Sequence, residues 1–533
     1  MRDIAIFAEK RAEKELKTLQ KSLIYDIIIY SKSEFDDICG GNKMFRKRDR
    51  NQLNLFETNR RFIVEINPKN RWVKLAEIMP WDKIEDYYAQ NMCEDNGRMG
   101  ISSRIAFGSI YAKEQENLTD AETVQQICEN PYIQYFLGLE TYQSEVLFDS
   151  SMMVHFRKRF SVEFIAQVNE YICTGKWPND DNKPQSPDKL PLPKKTSKKD
   201  KQKLAEEEEV THEGKLILDA TVAPSDIRYP SDVSLLAECR ENLEGFINEL
   251  HEESGLSGRK TPYNRHSAHK KTIKFIKRKK KTNSVIRSAL KLQLNYVELA
   301  INQVLSLILL CGLDCLAGQA WERFDTICKI YLQQKEMFDG KTNRCEGKIM
   351  NLRQPFVRAI LRNKVRAKYE YGQKLALSKA NGYVFVEHQS WENFNECKTL
   401  EQSVLNYYNR FGFYPEVILA DQIYQTRDNM SFCKKYGIRL SGAGATRKNA
   451  DKEKKKQAYN DLCDRNAIEG VNGVLKRRYG LDLIMCYLKH NAEVETHLQI
   501  LAMNLKHRLS FICAFFAKWI YMLLSRRSFA LFQ

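Results

Sequence analysis

Glu469 lies in a segment whose charged residues are suited to phosphate chemistry. Residues 464–480 have the apolar periodicity of a helix, with Gly480 just past its end. At about 100° per residue, Arg465, Glu469 and Lys476 fall on one stripe of that helix. A carboxylate in this position could hold a divalent cation while the neighbouring cations neutralise phosphates. An ordinary amphipathic helix with a charged, solvent-exposed face gives the same pattern, so the helix alone does not decide between these interpretations.

Two aspartates follow short apolar runs that predict buried strands. Residues 216–218 precede Asp219, and residues 417–420 precede Asp421. Taken singly, either aspartate could be an ordinary residue that caps a strand end or a turn. Their joint placement on two apolar strands, together with a glutamate on a cationic helix, favours a shared site.

The elements between these acids predict how they are positioned. Residues 369–378 and 383–388 alternate like strands and are joined at Asn381-Gly382, which is a strong hairpin signal. A helix over about 395–410 precedes the second strand with an aspartate, and a strand over 437–440 precedes the Glu469 helix. This order of elements resembles the ribonuclease H-like α/β fold, in which central strands place two aspartates beside a glutamate on a helix.

Three carboxylates on such elements suit phosphodiester cleavage with two metal ions. The ions lie about 3.5–4 Å apart and need hard oxygen ligands, one of which the two ions share. Asp219, Asp421 and Glu469 are therefore the candidate catalytic residues and metal ligands. All-carboxylate ligation favours Mg²⁺, with Mn²⁺ as a substitute.

Composition points towards a polyanionic partner. The chain has 533 residues, enough for two to four domains, and a formal net charge of +17. That surplus favours nucleic acid over an acidic membrane surface. The 14 cysteines form no C-x-x-C pair, which argues against zinc and suggests a reducing, cytoplasmic location. No membrane association is expected, because the apolar run over 509–525 is short for a span.

Shifts in composition predict five regions. These are an extension over 1–65, a helical domain over 66–174, a charged flexible linker over 175–211, an α/β domain over 212–508 and an apolar extension over 509–533. A helical insertion over about 232–345 should follow the first strand. Within it, residues 254–297 have no acidic residue and 13 Lys or Arg, including Lys277, Arg278, Lys279, Lys280 and Lys281. We expect this cluster to follow DNA phosphates, although a charge run is more commonly a solvated face.

The R-E-K spacing of Arg465, Glu469 and Lys476 resembles the signature of bacterial insertion-sequence DDE transposases. Residues 130–138 resemble the helical DNA-binding domain that precedes the catalytic domain in these proteins. Four further stretches resemble the same family: residues 218–221 with 229–232, 390–396, 414–416 with 420–421, and 424–429 with 437–442. The resemblance covers roughly residues 69–509.

The resemblance implies roles for individual residues. Asp219, Asp421 and Glu469 correspond to the metal-binding triad, and Arg465 and Lys476 to residues that contact DNA phosphates near the transposon end. The chain would cut and rejoin double-stranded DNA at the ends of its element and would pair two ends as a homodimer. The signature tyrosine is absent, since Leu462 occupies its position and Tyr459 lies one helical turn earlier.

Two other functions remain open at this point. The chain could be a catalytically silent DNA-binding protein derived from a transposase. It could also be a different ribonuclease H-like nuclease, which would cut nucleic acid without strand transfer.

Overall fold

The computed structural model describes the chain in nine stretches. The predicted extension over 1–65 and most of the predicted linker (179–185 and 193–210) fall outside them. The described residues are 66–92, 100–178, 186–192, 211–255, 261–312, 315–316, 318–362, 369–441 and 452–530.

Seven helices make up the described amino-terminal region. Their core is aromatic and includes the fully buried rings of Phe107, Phe136 and Phe156. The local signals in the sequence set the helix ends, since Thr119 caps one helix with a capping box and Asn130 caps the next. The helices are α1 (Arg71–Ile78), α2 (Trp81–Gln90), α3 (Ser103–Glu116), α4 (Asp120–Glu129), α5 (Pro131–Phe136), α6 (Met152–Arg159) and α7 (Val162–Thr174).

A six-stranded mixed sheet follows. Strand β1 is central: it pairs antiparallel with β3 and parallel with β5, and β5 pairs parallel with β6. Strand β4 pairs antiparallel with β3, and β2 also pairs with β3. The strands are β1 (Lys215–Pro224), β2 (Arg358–Leu361), β3 (Tyr369–Ala380), β4 (Tyr383–Ser390), β5 (Val417–Leu419) and β6 (Arg439–Leu440).

The turn between β3 and β4 has the geometry predicted from its two residues. Asn381 has a φ of 51° and Gly382 a φ of 87°. Positive φ at both central positions defines the type I′ turn, whose twist matches that of the flanking strands. The turn therefore fixes the hairpin register, which in turn sets how β3 presents its side chains to β1.

Helices cover both faces of the sheet. Leu216 and Leu218 of β1 belong to one core with α12 (Leu400–Phe411) and α13 (Arg427–Lys435). Because side chains alternate along a strand, Asp219 points to the opposite face. Helix α14 (Lys452–Arg478) packs against β1 and β5, and it ends before Gly480, whose φ is 78°.

Residues 227–358 form a compact unit of their own. Its apolar core is built by four helices, and Lys277 to Lys281 lie exposed at the end of the second helix and in the loop after it. Asn283–Cys311 is long and apolar enough to cross a membrane by length and composition alone, yet nine of its residues are buried in the unit. The four are α8 (Asp232–Glu253), α9 (Arg265–Lys277), α10 (Asn283–Cys311) and α11 (Gly318–Asp339).

The last helix, α15, runs from Lys489 to Ala530. The predicted start of an apolar extension at residue 509 therefore falls inside a continuous helix. A change in composition marked that position, but the backbone continues through it. The predicted domain boundaries stay predictions.

Candidate functional site

Asp219 occupies the middle of the central strand. It stands opposite Leu377 of β3, and its side chain is partly buried on the face covered by α14. Burial raises the pKa of Asp219, the backbone N–H of Ala220 lowers it, and the carboxylates of Glu396 and Glu469 raise it further. The two carboxylates therefore lie close enough for the charge of Glu469 to affect the ionisation of Asp219.

Asp421 and Glu469 share one cation. The Arg465 guanidinium lies 3.5 Å from Asp421 and 3.3 Å from Glu469, one helical turn away. Both carboxylates are largely exposed, at 61% and 57% of the side chain. Asp421 also accepts the backbone N–H of Gln422 at 2.7 Å, so it caps a turn as well.

The charged residues singled out on α14 lie on a different side of the helix from its buried apolar residues. Ile468 and Leu475 are fully buried, while Arg465 and Lys476 are partly exposed. The helix also extends back to residue 452, so that Tyr459 is helical and two-thirds exposed. A tyrosine is therefore presented one turn before the signature position, as the sequence allowed.

Asn472 joins the helix to the strand and was not among the predicted site residues. Its amide nitrogen donates a 2.8 Å hydrogen bond to the Asp219 carboxylate. Its side-chain oxygen is buried and finds no hydrogen-bond partner among the residues that the structure describes. The available signal was its position three residues after Glu469, on a neighbouring part of the same helix face.

Glu396 is an acid near Asp219 that the predicted triad did not include. The Glu396 carboxylate raises the pKa of Asp219 more than the Glu469 carboxylate does. The nearly buried Lys374 ammonium lies 2.9 Å from Glu396 and donates to the carbonyl oxygen of Phe394 at 2.9 Å. The sequence signal was its place at the end of the family-like stretch 390–396.

The donor set is suited to a hard divalent cation. Carboxylate oxygens are the ligands that Mg²⁺ and Mn²⁺ prefer, and the bridging position of Arg465 shows that Asp421 and Glu469 can face one positive group together. Within the described residues, however, no three His, Cys, Asp or Glu side chains are grouped closely enough to hold a metal. Binding would require Arg465 to swing away from the two carboxylates.

Comparison with known proteins agrees with the predicted resemblance. Residues 418–506 match the family described as "Transposase DDE domain", and this match includes Asp421 and Glu469. Residues 61–159 match a second family, described as "Transposase domain", over the amino-terminal helices. Divalent metal is general in the first of these families.

A curated relative is also similar to part of the chain. It is the "Uncharacterized protein ORF8 in nfe locus" of Rhizobium meliloti, 33% identical over 103 residues, which are 19% of this chain and 49% of the relative. The chain thus covers about half the length of that relative. No solved structure matches the chain. The two family matches confirm the resemblance to insertion-sequence DDE transposases: residues 418–506 are similar to a transposase DDE domain and residues 61–159 to a second transposase domain.

Proposed function

We propose that this protein is a transposase that cuts DNA at the ends of its own insertion element and joins those ends to target DNA. The observation that carries the proposal is that Arg465 lies within 3.5 Å of both Asp421 and Glu469, while Asn472 of the same helix donates a hydrogen bond to Asp219. Asp219 comes from the central strand, Asp421 from the end of the neighbouring strand and Glu469 from the helix that covers them. Two of these acids lie inside the match to the transposase DDE domain.

The fold proposed for residues 212–508 is ribonuclease H-like, with residues 227–358 as an insertion after β1. The element order supports it: β1 with Asp219, the β3–β4 hairpin, α12, β5 followed by Asp421, α13, β6 and α14 with Glu469. The region over 66–174 is proposed to be the helical DNA-binding domain. The second family match, over 61–159, supports that assignment.

The proposed reaction has two in-line displacements at phosphorus. Water attacks the phosphodiester at the transposon end, the bond to the 3′ oxygen breaks, and a 3′ hydroxyl is released. That hydroxyl then attacks a target phosphodiester, displacing another 3′ oxygen, so no covalent bond to the protein forms. Asp219, Asp421 and Glu469 would hold Mg²⁺, with Mn²⁺ as a substitute, which when bound would supply Lewis-acid stabilisation and a more acidic attacking water.

The cations around the acids have a separate role. Arg465 and Lys476 are proposed to contact phosphates near the transposon end, which would draw Arg465 off the two carboxylates. The exposed cluster from Lys277 to Lys281 is proposed to bind end DNA through its charge, and the net charge of +17 supports a DNA partner. Pairing of two ends would use a homodimer, at the bacterial nucleoid in the cytoplasm.

The test compares the wild-type chain with Glu469→Gln on a labelled duplex that carries the element's own end, with Mg²⁺. Glutamine keeps the size of the side chain and removes the charge that holds metal. We expect Glu469→Gln to bind the duplex and to cleave it about 1000-fold more slowly, the equivalent of several kcal/mol of lost Lewis-acid stabilisation. Glu453→Gln, an exposed glutamate at the start of the same helix, is the matched control and should cleave normally.

The other outcomes separate the alternatives. Equal cleavage by the wild type and Glu469→Gln would show that Glu469 is the wrong glutamate. Binding without cleavage by either protein would favour the silent DNA-binding function. Cleavage without joining to target DNA would favour a simple nuclease.

A further inference from the structure

We propose that Asn472 is a positioning residue that holds Asp219 ready to bind a divalent cation, a role that rests on the proposed function. Asn472 and Asp219 lie 253 residues apart in the chain, yet their side chains are joined at 2.8 Å. This bond is a direct side-chain link between the central strand and the helix that carries Glu469. It therefore couples the two elements on which the candidate acids depend.

The chemistry of the pair fixes the orientation of the amide. An ionised carboxylate only accepts hydrogen bonds, so the NH₂ group of Asn472 must face the Asp219 oxygen Oδ2. The amide oxygen is then turned the other way, where it is buried and has no hydrogen-bond partner within the described residues. Such an arrangement is unusual unless the donor contact itself matters or the oxygen gains a partner in another state.

The Asn472 amide limits how the Asp219 carboxylate can be oriented. One oxygen of the carboxylate is held by Asn472, so the carboxylate cannot rotate freely in its partly buried position. Asn472 follows Glu469 by three residues, so one rigid helix sets the distance between this held carboxylate and Glu469. Partners of this kind orient metal-binding carboxylates, and their removal typically weakens metal binding about 10- to 100-fold.

The test measures Mn²⁺ binding to the full-length chain, by the loss of the free-ion signal in electron paramagnetic resonance. The variants are Asn472→Ala, the control Asn460→Ala at an exposed asparagine of the same helix, and Glu469→Gln as the ligand control. We expect Asn472→Ala to raise the Kd for Mn²⁺ about 10- to 100-fold. Asn460→Ala should bind like the wild type, and excess Mn²⁺ should restore DNA cleavage to Asn472→Ala.

The outcomes distinguish the two proposals. If Glu469→Gln loses Mn²⁺ binding and Asn472→Ala retains it unchanged, the role of Asn472 is overturned and the metal site stands. If the wild type and Glu469→Gln bind Mn²⁺ equally, the metal site is overturned, and the role of Asn472 with it.

A second variant covers the case in which Asn472→Ala does not fold. Asn472→Asp keeps the size of the side chain but sets a negative charge against Asp219. Without metal it should melt at a lower temperature than the wild type, and Mn²⁺ should raise its melting temperature by more than it raises that of the wild type. Equal melting temperatures with and without Mn²⁺ in the two proteins would overturn the proposal.

Discussion

Lys113 and Arg465 each lie between two carboxylates, and these two clusters differ in exposure. Among the amino-terminal helices, the Lys113 ammonium lies 2.8 Å from Glu114 and 2.8 Å from Glu495 of α15. The exposed fractions of these side chains are 11%, 3% and 4%. In the candidate site, Arg465 bridges Asp421 and Glu469 at longer distances, and both carboxylates are more than half exposed.

The difference in exposure determines whether each cluster can exchange its cation. A buried ion that loses its partner keeps an uncompensated charge in a medium of low dielectric. The three charged groups of the Lys113 cluster therefore stay paired. Exposed ion pairs contribute little to stability and break easily. The Arg465 bridge can therefore give way to another cation, and the Lys113 cluster cannot.

Replacing Lys113 with methionine should have the largest effect on stability. It leaves Glu114 and Glu495 buried without their shared cation, so the free energy of unfolding at pH 7 should fall by about 3–5 kcal/mol. Urea unfolding followed by circular dichroism measures this. Lys158→Met, at an exposed lysine of α6, is the control and should change stability little. A loss of under about 1 kcal/mol for Lys113→Met would remove the contrast between the clusters.

The buried cluster should also make stability depend on pH through Glu114. Burial raises the pKa of Glu114 to about 7, against an opposing effect of Lys113. A raised folded-state pKa gives stability that is present below the unfolded pKa, near 4.5, and is lost as pH rises through about 7.

Glu114→Gln has no carboxyl to ionise, so its free energy of unfolding should not fall through ionisation of this side chain as pH rises. Relative to the wild type it should gain about 1–3 kcal/mol in unfolding free energy between pH 5 and pH 8. Urea titrations across this range give the difference, with exposed Glu129→Gln as the control. Parallel stability curves for wild type and Glu114→Gln would contradict the assignment of a buried carboxyl with a raised pKa.

Arg465→Gln should have the smallest effect on stability. Its two partners are exposed and remain solvated, so the free energy of unfolding should change by less than about 1 kcal/mol. The same urea assay applies, with exposed Arg477→Gln from the same helix as control. A loss as large as that from Lys113→Met would mean that the two clusters serve the same structural purpose.

Local signals in the sequence were enough to predict the elements that bear the acids. Asn381-Gly382 fixed the hairpin through its turn geometry, and Gly480 marked the end of the Glu469 helix. The apolar runs before Asp219 and Asp421 predicted strands because they fit a sheet buried on both faces. The triad itself came from the family resemblance combined with these elements.

Contacts between distant parts of the chain could not be predicted in this way. Asn472 and Asp219 meet only through packing of α14 on β1, and Lys113 meets Glu495 across 382 residues. In sequence, Lys113-Glu114 looks like any solvated charge pair. Nor did the composition change near residue 509 reveal that α15 continues through it, because helix continuity depends on the backbone rather than on polarity.

The long helix α15 forms hydrogen bonds with two regions that are far apart in the sequence. The Asn504 amide donates to Asn169 of α7 and to the carbonyl oxygen of Val384 in β4, and Arg508 donates to the carbonyl oxygen of Ile172. A frameshift or nonsense mutation upstream of residue 489 would thus remove one wall from both the helical region and the sheet. The helical region and the sheet should therefore lose stability together when α15 is missing.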